Sequence, residues 1–251
     1  MPAHSLTTRI QRFATLFRVA FREARIQLWE RDYVDAAART DTTIIDDYLR
    51  DHTVRKLQVG AGDNSIAGWL STDIAPVSEG IVRLDATRAF PFADALFDYA
   101  YSEHMIEHLT LPDARKMVAE TYRVLKPGGK VRIATPDLQV FAALCLDGST
   151  ETQKAYVDWA AREYNPDSGL VSPSVVVNQM FRGWGHQFLY DEETLTRVLA
   201  EAGFSGIARC EVGKSDDSEL ENLERHWRKI GEANNRFETM VLEARKLSNA
   251  Q

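Results

Sequence analysis

An open α/β sheet of mostly parallel strands is the fold class this sequence predicts, and three observations carry it. Short apolar runs at Lys56 to Val59, Trp69 to Asp73, Ile81 to Leu84, Phe97 to Tyr101 and Lys130 to Thr135 each end in small or polar residues, as strands do. Helical patterns alternate with them, which implies parallel pairing. At 251 residues, 44% hydrophobic and 27% charged, the chain can bury one sizeable core. Ligands of such sheets collect beyond the carboxyl ends of the strands, so chemistry is expected there.

The first element is helical. Leu6, Ile10, Phe13, Phe17, Phe21 and Leu28 recur at helical spacing on one stripe, while Arg12, Arg18, Arg22 and Arg25 fall mostly elsewhere. Three partners compete for that stripe: the chain's own domain, a second subunit in a homodimer, or an anionic membrane surface as a peripheral contact. Packing within protein is favoured, because most amphipathic helices bury their apolar face that way. A weaker helix follows over Asp41 to Leu49. Residues 1–50 therefore read as a helical extension and 51–251 as the main domain.

Within that domain, a helix is expected from Pro112 to Leu125, with Pro112 in its first turn, Ala114, Met117, Val118 and Tyr122 as its stripe, and Lys126-Pro127-Gly128-Gly129 as its stop. Gln153 to Tyr164 reads as helix, Asn165 to Gly169 as loop, and Ser172-Pro173 as the capped start of another short helix. Residues 151–185 together resemble an inserted lid. Asp191 caps a further helix ended by Gly203, and a strand follows near Ile207 to Val212. Leu220, Leu223, Trp227 and Ile230 mark one more helix, and Phe237 to Leu242 a last strand.

Composition excludes several function classes. The formal net charge of -7 offers no general footing for nucleic acid, whose binding relies on many Lys and Arg contacts to phosphate. The two cysteines, Cys145 and Cys210, sit far apart with no CxxC, so neither a disulfide framework nor a zinc site is indicated. No apolar run approaches the roughly 20 residues of a membrane span, and no signal core opens the chain. A cytoplasmic location is the expectation.

The stretch KLQVGAGDNSIAGWLSTDI carries the functional signal. Gly60 and Gly62, just after a strand, permit positive φ and close backbone approach to a ligand. Asp73, ending the next strand, can accept two hydrogen bonds from a ribose diol, and Asp85 repeats the arrangement one strand later.

These residues resemble the class I S-adenosylmethionine-dependent methyltransferases, in the branch of small domains that includes ubiquinone and sterol enzymes. LQVGAG is similar to the family's glycine motif. LDATRAFPFADALFDYAYSEHMIEHL resembles its stretch into the fourth strand, RVLKPGGKVRIATPD its next helix, turn and fifth strand, and GHQFLYDEETLTRVLAEAGF a late segment, over roughly Leu57 to Phe204. The resemblance implies a Rossmann-like, seven-stranded, mostly parallel sheet with an antiparallel last strand, and S-adenosylmethionine as cofactor. It implies that Gln58, Gly60, Ala61, Gly62, Asp73, Ile74, Asp85, Ala86, Ser102 and Glu103 surround that cofactor. Two departures stand out. Gln58 replaces an acid and Asn64 a third glycine, and the Gly62 to Asp73 connection has room only for a loop, where a crossover with its helix takes at least about 10 to 12 residues. Some relatives associated with sugar and surface-polysaccharide modification share that shortening. One sheet face then lacks a helix, and the N-terminal helix is the expected cover.

Methyl transfer from a sulfonium needs mainly alignment and exclusion of water, plus a base where the acceptor is a hydroxyl. His104 after the fourth strand, Asp137 after the fifth and His186 in the late segment are the catalytic candidates. A helix cap is the alternative reading of His104 and Asp137, and a lid anchor that of His186. His108 has HxxxH spacing to His104 but neither a third ligand nor the HExxH order, so it reads as structural and no metal is expected. Met180, Phe181 and Trp184 are candidates for an acceptor wall, with core packing as the alternative. The leading function is methyl transfer to an oxygen or nitrogen of a small molecule, a sugar or glycoconjugate preferred. A catalytically silent binding module that acts through a partner is the alternative. An NAD-dependent oxidoreductase is disfavoured, because G-x-G-x-x-G opening a helix is missing.

Overall fold

The computed structural model describes residues 34–146 and 149–248, with side chains from Asp41 onward. The helix expected over Leu6 to Leu28, and the partner of its apolar stripe, lie outside them. Helix α1 (Val34–Asp51) precedes strands β1 (Lys56–Val59), β2 (Leu70–Asp73), β3 (Val82–Arg83) and β4 (Phe97–Glu103). A 3-10 turn (Ile106–His108) and helix α2 (Leu111–Val124) lead to β5 (Leu125–Pro136). Helices α3 (Leu138–Ala143), α4 (Glu151–Tyr164), α5 (Pro173–Arg182) and α6 (Glu192–Glu201) follow, then β6 (Phe204–Cys210). Short helices α7 (Trp227–Ile230) and α8 (Glu232–Glu238) precede β7 (Thr239–Lys246). Caps set the helix starts: Thr110, Thr150, Ser172 and Asp191 each accept a backbone N–H three residues on. Among the described residues, no helix is long and apolar enough to cross a membrane.

The strands form one seven-stranded sheet in the order β3-β2-β1-β4-β5-β7-β6. The first five pair in parallel and β7 runs antiparallel to both β5 and β6, the arrangement the resemblance implies. Side chains alternate between the two faces. On one face Leu57, Val59, Ala100, Val131, Ile133 and Leu242 pack against Ala114, Met117 and Val118 of α2 and Leu195, Val198 and Leu199 of α6.

The opposite face is built differently. Register places Gln58 beside Ser71 and Tyr101, Tyr101 beside Arg132, and Arg132 beside Glu243. The β1–β2 connection is turns only, as its length requires, so no crossover helix lies there. Residues 211–226 fold back over the gap instead, with Leu220 and Leu223 buried against Ile66, Trp69 and Tyr101. This segment was expected to be helical through Leu220 to Ile230; only Trp227–Ile230 is helix, and the rest is turns. Ion pairs fasten it. The fully buried Arg132 donates Nε to Glu224 at 2.6 Å and Nη1 to the Lys214 carbonyl at 2.8 Å, and pairs with Glu243. Nearer the strand starts, Asp217 binds Lys130 at 2.8 Å and the Tyr99 hydroxyl at 3.1 Å, and Glu219 binds Lys56 at 2.8 Å. Burial and the Asp217 carboxylate push the Tyr99 phenol up to about 12.

Two boundaries also differ from expectation. Strand β5 begins at Leu125 rather than Lys130, with Lys126 to Gly129 bulging out between the partners of Phe97 and Tyr99. The last strand starts at Thr239, because Phe237 and Glu238 still belong to α8. Helices α3, α4 and α5 enclose a second small core around Phe141, Tyr156, Ala160, Val176 and Met180.

Removing one partner of a buried ion pair strands the other charge, at a penalty of roughly 3–5 kcal/mol. Arg132→Met is expected to lose about that much stability in urea unfolding, and adding Glu224→Leu to regain most of it. Equal loss in single and double variants would show that the pairing does not hold the segment.

Candidate active site

A cavity of about 690 Å³ opens at the carboxyl ends of β1, β2 and β4, where the sheet class places its ligands. One end is built from the glycine turn. Gly60 and Ala61 donate their N–H groups to the Thr72 carbonyl at 2.9 Å each, and Gly62 donates to Asp73 Oδ2 at 2.8 Å. Asp73 Oδ1 accepts from Ala75 N at 2.9 Å, so both carboxylate oxygens are oriented while each keeps acceptor capacity for a ligand hydroxyl. Asp85 is oriented likewise, with Oδ1 accepting from Thr87 N at 2.9 Å and Thr87 Oγ1 at 2.7 Å. Ile74 and Ala86 complete this end.

The floor is a wall of histidines. His104 sits at φ +45, a strained conformation for a non-glycine residue. Its Nε2 lies 3.2 Å from Thr239 Oγ1 and its Nδ1 lies 3.3 Å from Glu107 Oε1. His226 stacks on it with ring centroids 4.0 Å apart. Burial alone would lower the His104 pKa, but the carboxylates of Glu107, Glu238 and Glu103 win and raise it. Burial, reinforced by the charge on His104, lowers that of His226. The two shifts run in opposite directions, so His104 is the more basic ring of the pair and His226 the less basic. Glu107 is fully buried, which would raise its carboxyl, yet the neighbouring His104, His108 and His186 bring it down to about 2. His108 and His186 meet edge to face at 4.9 Å.

The far end comes from the α4–α5 region and the loop behind it. Glu163, Tyr164, Met180, Trp184 and His186 line it, together with Glu238 and the 226–230 turn. The structure therefore brings together Gly60, Ala61, Gly62, Asp73, Ile74, Asp85, Ala86, Glu103, His104 and His186. Gln58, Ser102 and Asp137 do not line the cavity. Gln58 is buried with its amide spent on Asn64 O, Ile66 N and Ser71 Oγ, fastening the short β1–β2 loop. Ser102 is buried with the sheet, and Asp137 caps α3 through Gln139 N and binds Arg209 at 2.6 Å. Phe181 is exposed on the outside, away from Met180 and Trp184. Sequence reading missed His226, Glu238, Glu163, Tyr164 and Met105. Met105 carries a signal only in hindsight: a Cβ at Gly60 would lie 2.2 Å from its Cγ, so the side chain seals the glycine turn from below.

Sheet order, glycine turn and strand-end carboxylates together have the arrangement of the Rossmann-like methyltransferase fold. The family described as methyltransferase domain matches residues 64–133, from just past the glycine turn into β5. Phosphoethanolamine N-methyltransferase 2 of Caenorhabditis elegans is 46% identical over 44 residues, which are 18% of this chain and 10% of that protein. The chain therefore spans only a small part of that curated relative. Among solved structures, a phosphoethanolamine N-methyltransferase 2 of Haemonchus contortus in complex with S-adenosyl-L-methionine is 17% identical. It covers 84% of this chain and 53% of its own, with TM-score 0.44. An S-adenosylmethionine-dependent methyltransferase of Mesorhizobium loti is 16% identical, covers 78% of this chain and 95% of its own, with TM-score 0.46.

At φ +76 and against Met105, Gly60 tolerates no side chain. Gly60→Ala is expected to shift Met105 into the cavity and abolish saturable S-adenosylmethionine binding in calorimetry, whereas Gly80→Ala, equally strained at φ +86 but with open space around it, leaves binding intact. Wild-type affinity in Gly60→Ala would mean that this turn does not contact the cofactor.

Proposed function

We propose that the chain holds S-adenosylmethionine across Gly60 to Gly62, Asp73 and Asp85 and transfers its methyl group to an oxygen or nitrogen of a small molecule. Residues 151–185 act as the lid over that acceptor, with Met180, Trp184 and His186 against it. The observation that carries this reading is the Asp73 carboxylate, fixed by Gly62 N at 2.8 Å and Ala75 N at 2.9 Å at the cavity mouth, aimed where a ribose diol would be gripped. In the transfer, the acceptor's lone pair forms a bond to the methyl carbon as the carbon–sulfur bond breaks. S-adenosylhomocysteine leaves with the sulfur lone pair, and the acceptor's proton passes to a base. His226 takes that proton, being neutral and part of the cavity lining. His104, whose pKa the surrounding carboxylates raise, faces Glu107 and Thr239 instead.

The lining also narrows the acceptor. Among the described residues around the cavity, Lys229 alone is a lysine or arginine, and it is paired with Asp63 at 2.9 Å. Glu103, Glu107, Glu163 and Glu238 dominate the far end. A phosphorylated acceptor would meet carboxylates with no arginine fork to receive it, so a neutral or cationic acceptor is favoured. A hydroxyl-rich one such as a sugar suits the aromatic wall of Tyr164 and Trp184.

Asp73→Ala is expected to weaken S-adenosylmethionine binding by roughly 1–3 kcal/mol, the loss of charged hydrogen bonds to ribose. Calorimetry on wild type and variant measures this. No heat from wild type with either S-adenosylmethionine or S-adenosylhomocysteine would leave the silent-module reading in place of the enzyme.

A further inference from the structure

We infer that Glu107, His108 and His186 form a binding site for a divalent transition-metal ion of the zinc type. One donor atom from each lies within 4.8 Å of the others, and all three residues line the cavity. Two imidazoles and one carboxylate suit zinc and its neighbours, whereas magnesium and calcium prefer all-oxygen shells. Zinc bound at about 2.0–2.2 Å by three protein ligands leaves its fourth position open to a water or a substrate atom.

The contacts around the cluster suit an ion. Glu107 has no solvent exposure, and its Oε1 is ion-paired with His104 Nδ1 at 3.3 Å without a closer hydrogen bond. A buried carboxylate is costly unless cations meet it, and an ion among Glu107, His108 and His186 would share this one with His104. Its other oxygen is fixed by Thr135 Oγ1 at 3.0 Å, as outer partners orient metal-bound carboxylates. His186 Nδ1 lies 2.6 Å from the Met180 carbonyl, which can only accept; the ring therefore donates from Nδ1, and Nε2 carries the lone pair a metal needs. The backbone locks the ligands together: Gln187 N and Phe188 N both donate to the Glu107 carbonyl, at 2.7 and 3.2 Å. The second histidine cluster, His104, His226 and Glu238, is a poorer candidate, since His104 Nε2 faces Thr239 and Glu238 holds the Tyr156 hydroxyl.

Zinc binding stands without the methyl-transfer reading. Its use, holding the acceptor's oxygen beside the methyl group and acidifying its hydroxyl, rests on that reading.

The test is titration of Zn²⁺ into the chelator-stripped full chain by calorimetry, with S-adenosylmethionine binding measured on the same samples. One equivalent is expected to bind. Partners outside a metal's coordination shell are already worth roughly 10–100-fold in affinity, so His186→Ala and His108→Ala are each expected to lose at least about 100-fold. S-adenosylmethionine affinity is expected to hold in both, which also shows that they fold, and His226→Ala is expected to keep zinc affinity. Should a variant fail to fold, X-ray absorption of the zinc-loaded wild type must show two imidazole ligands. The proposal is overturned if wild type binds no zinc, if His186→Ala keeps full affinity, if His226→Ala loses as much, or if no imidazole scattering is seen. Loss of zinc binding with intact S-adenosylmethionine binding removes the metal alone; the reverse removes the cofactor reading alone.

Discussion

A sheet face left bare by a missing crossover helix is the constraint on which the rest of this structure depends. Eleven residue steps from Gly62 to Asp73 cannot both cross between parallel strands and wind a helix. The exposed face would show water Trp69, Tyr101 and the polar row of Gln58, Tyr99 and Arg132. Residues 211–226 resolve this by a mixed solution: two leucines for the aromatic patch and acidic residues for each cation on the row. The same segment then turns over the strand ends, where Glu103 Oε1 accepts from Arg225 N at 2.7 Å and His226 N at 2.8 Å. The cover of the sheet and one wall of the active site are thus a single stretch of chain. Leu220, the Glu224 partner of Arg132 and His226 lie within seven residues of one another on that stretch.

Losing the crossover helix also removes a helix N-terminus from the cofactor end. Dinucleotide sites use that dipole to hold a pyrophosphate. S-adenosylmethionine carries no phosphate, its one anion being the carboxylate of its amino-acid end, so no pyrophosphate calls for a helix N-terminus there, and what remains is a backbone bend and an oriented acid. Both survive here. Three amides of the turn are bound to Thr72 and Asp73 of β2, which rigidifies the bend without a helix behind it. Gln58, where relatives of this type carry an acid, is turned inward to tie down Asn64 and Ile66. The replacement reads as part of the shortened loop rather than as a weakened cofactor contact.

How far these features are legible in the sequence depends on how local their causes are. Strand ends, the caps at Ser172 and Asp191 and the glycine turn are set by residues within four or five positions of one another, and the structure follows the sequence there. The segment from Leu220 to Ile230 is different. Its apolar positions repeat near the helical period, but Leu220 and Leu223 are drawn onto a sheet face whose vacancy is caused by residues far earlier in the chain. His108 shows the same limit: it lacks a third ligand in sequence and gains His186 only when the loop behind α5 docks on the Glu107 carbonyl. Asp137 was legible as a cap and as a catalytic candidate alike, and it is the cap that its contacts to Gln139 N and Arg209 serve.

Four histidines and four glutamates around one cavity would be unstable if every group kept its ordinary charge. The arrangement sorts them instead. Glu107 is held ionised by the imidazoles about it, and the carboxylates raise the pKa of His104. The two pair deep in the floor. Burial and the stacked His104 ring lower the pKa of His226. A base whose affinity for protons is lowered in the resting site stays available at neutral pH. Methyl transfer benefits, because a sulfonium donor repels a charged neighbour and the acceptor must lose its proton only as the new bond forms. The pairing of Glu107 with His104 thus bears on the basicity of the half-buried His226, and the chemistry in the cavity follows from the electrostatics beneath it.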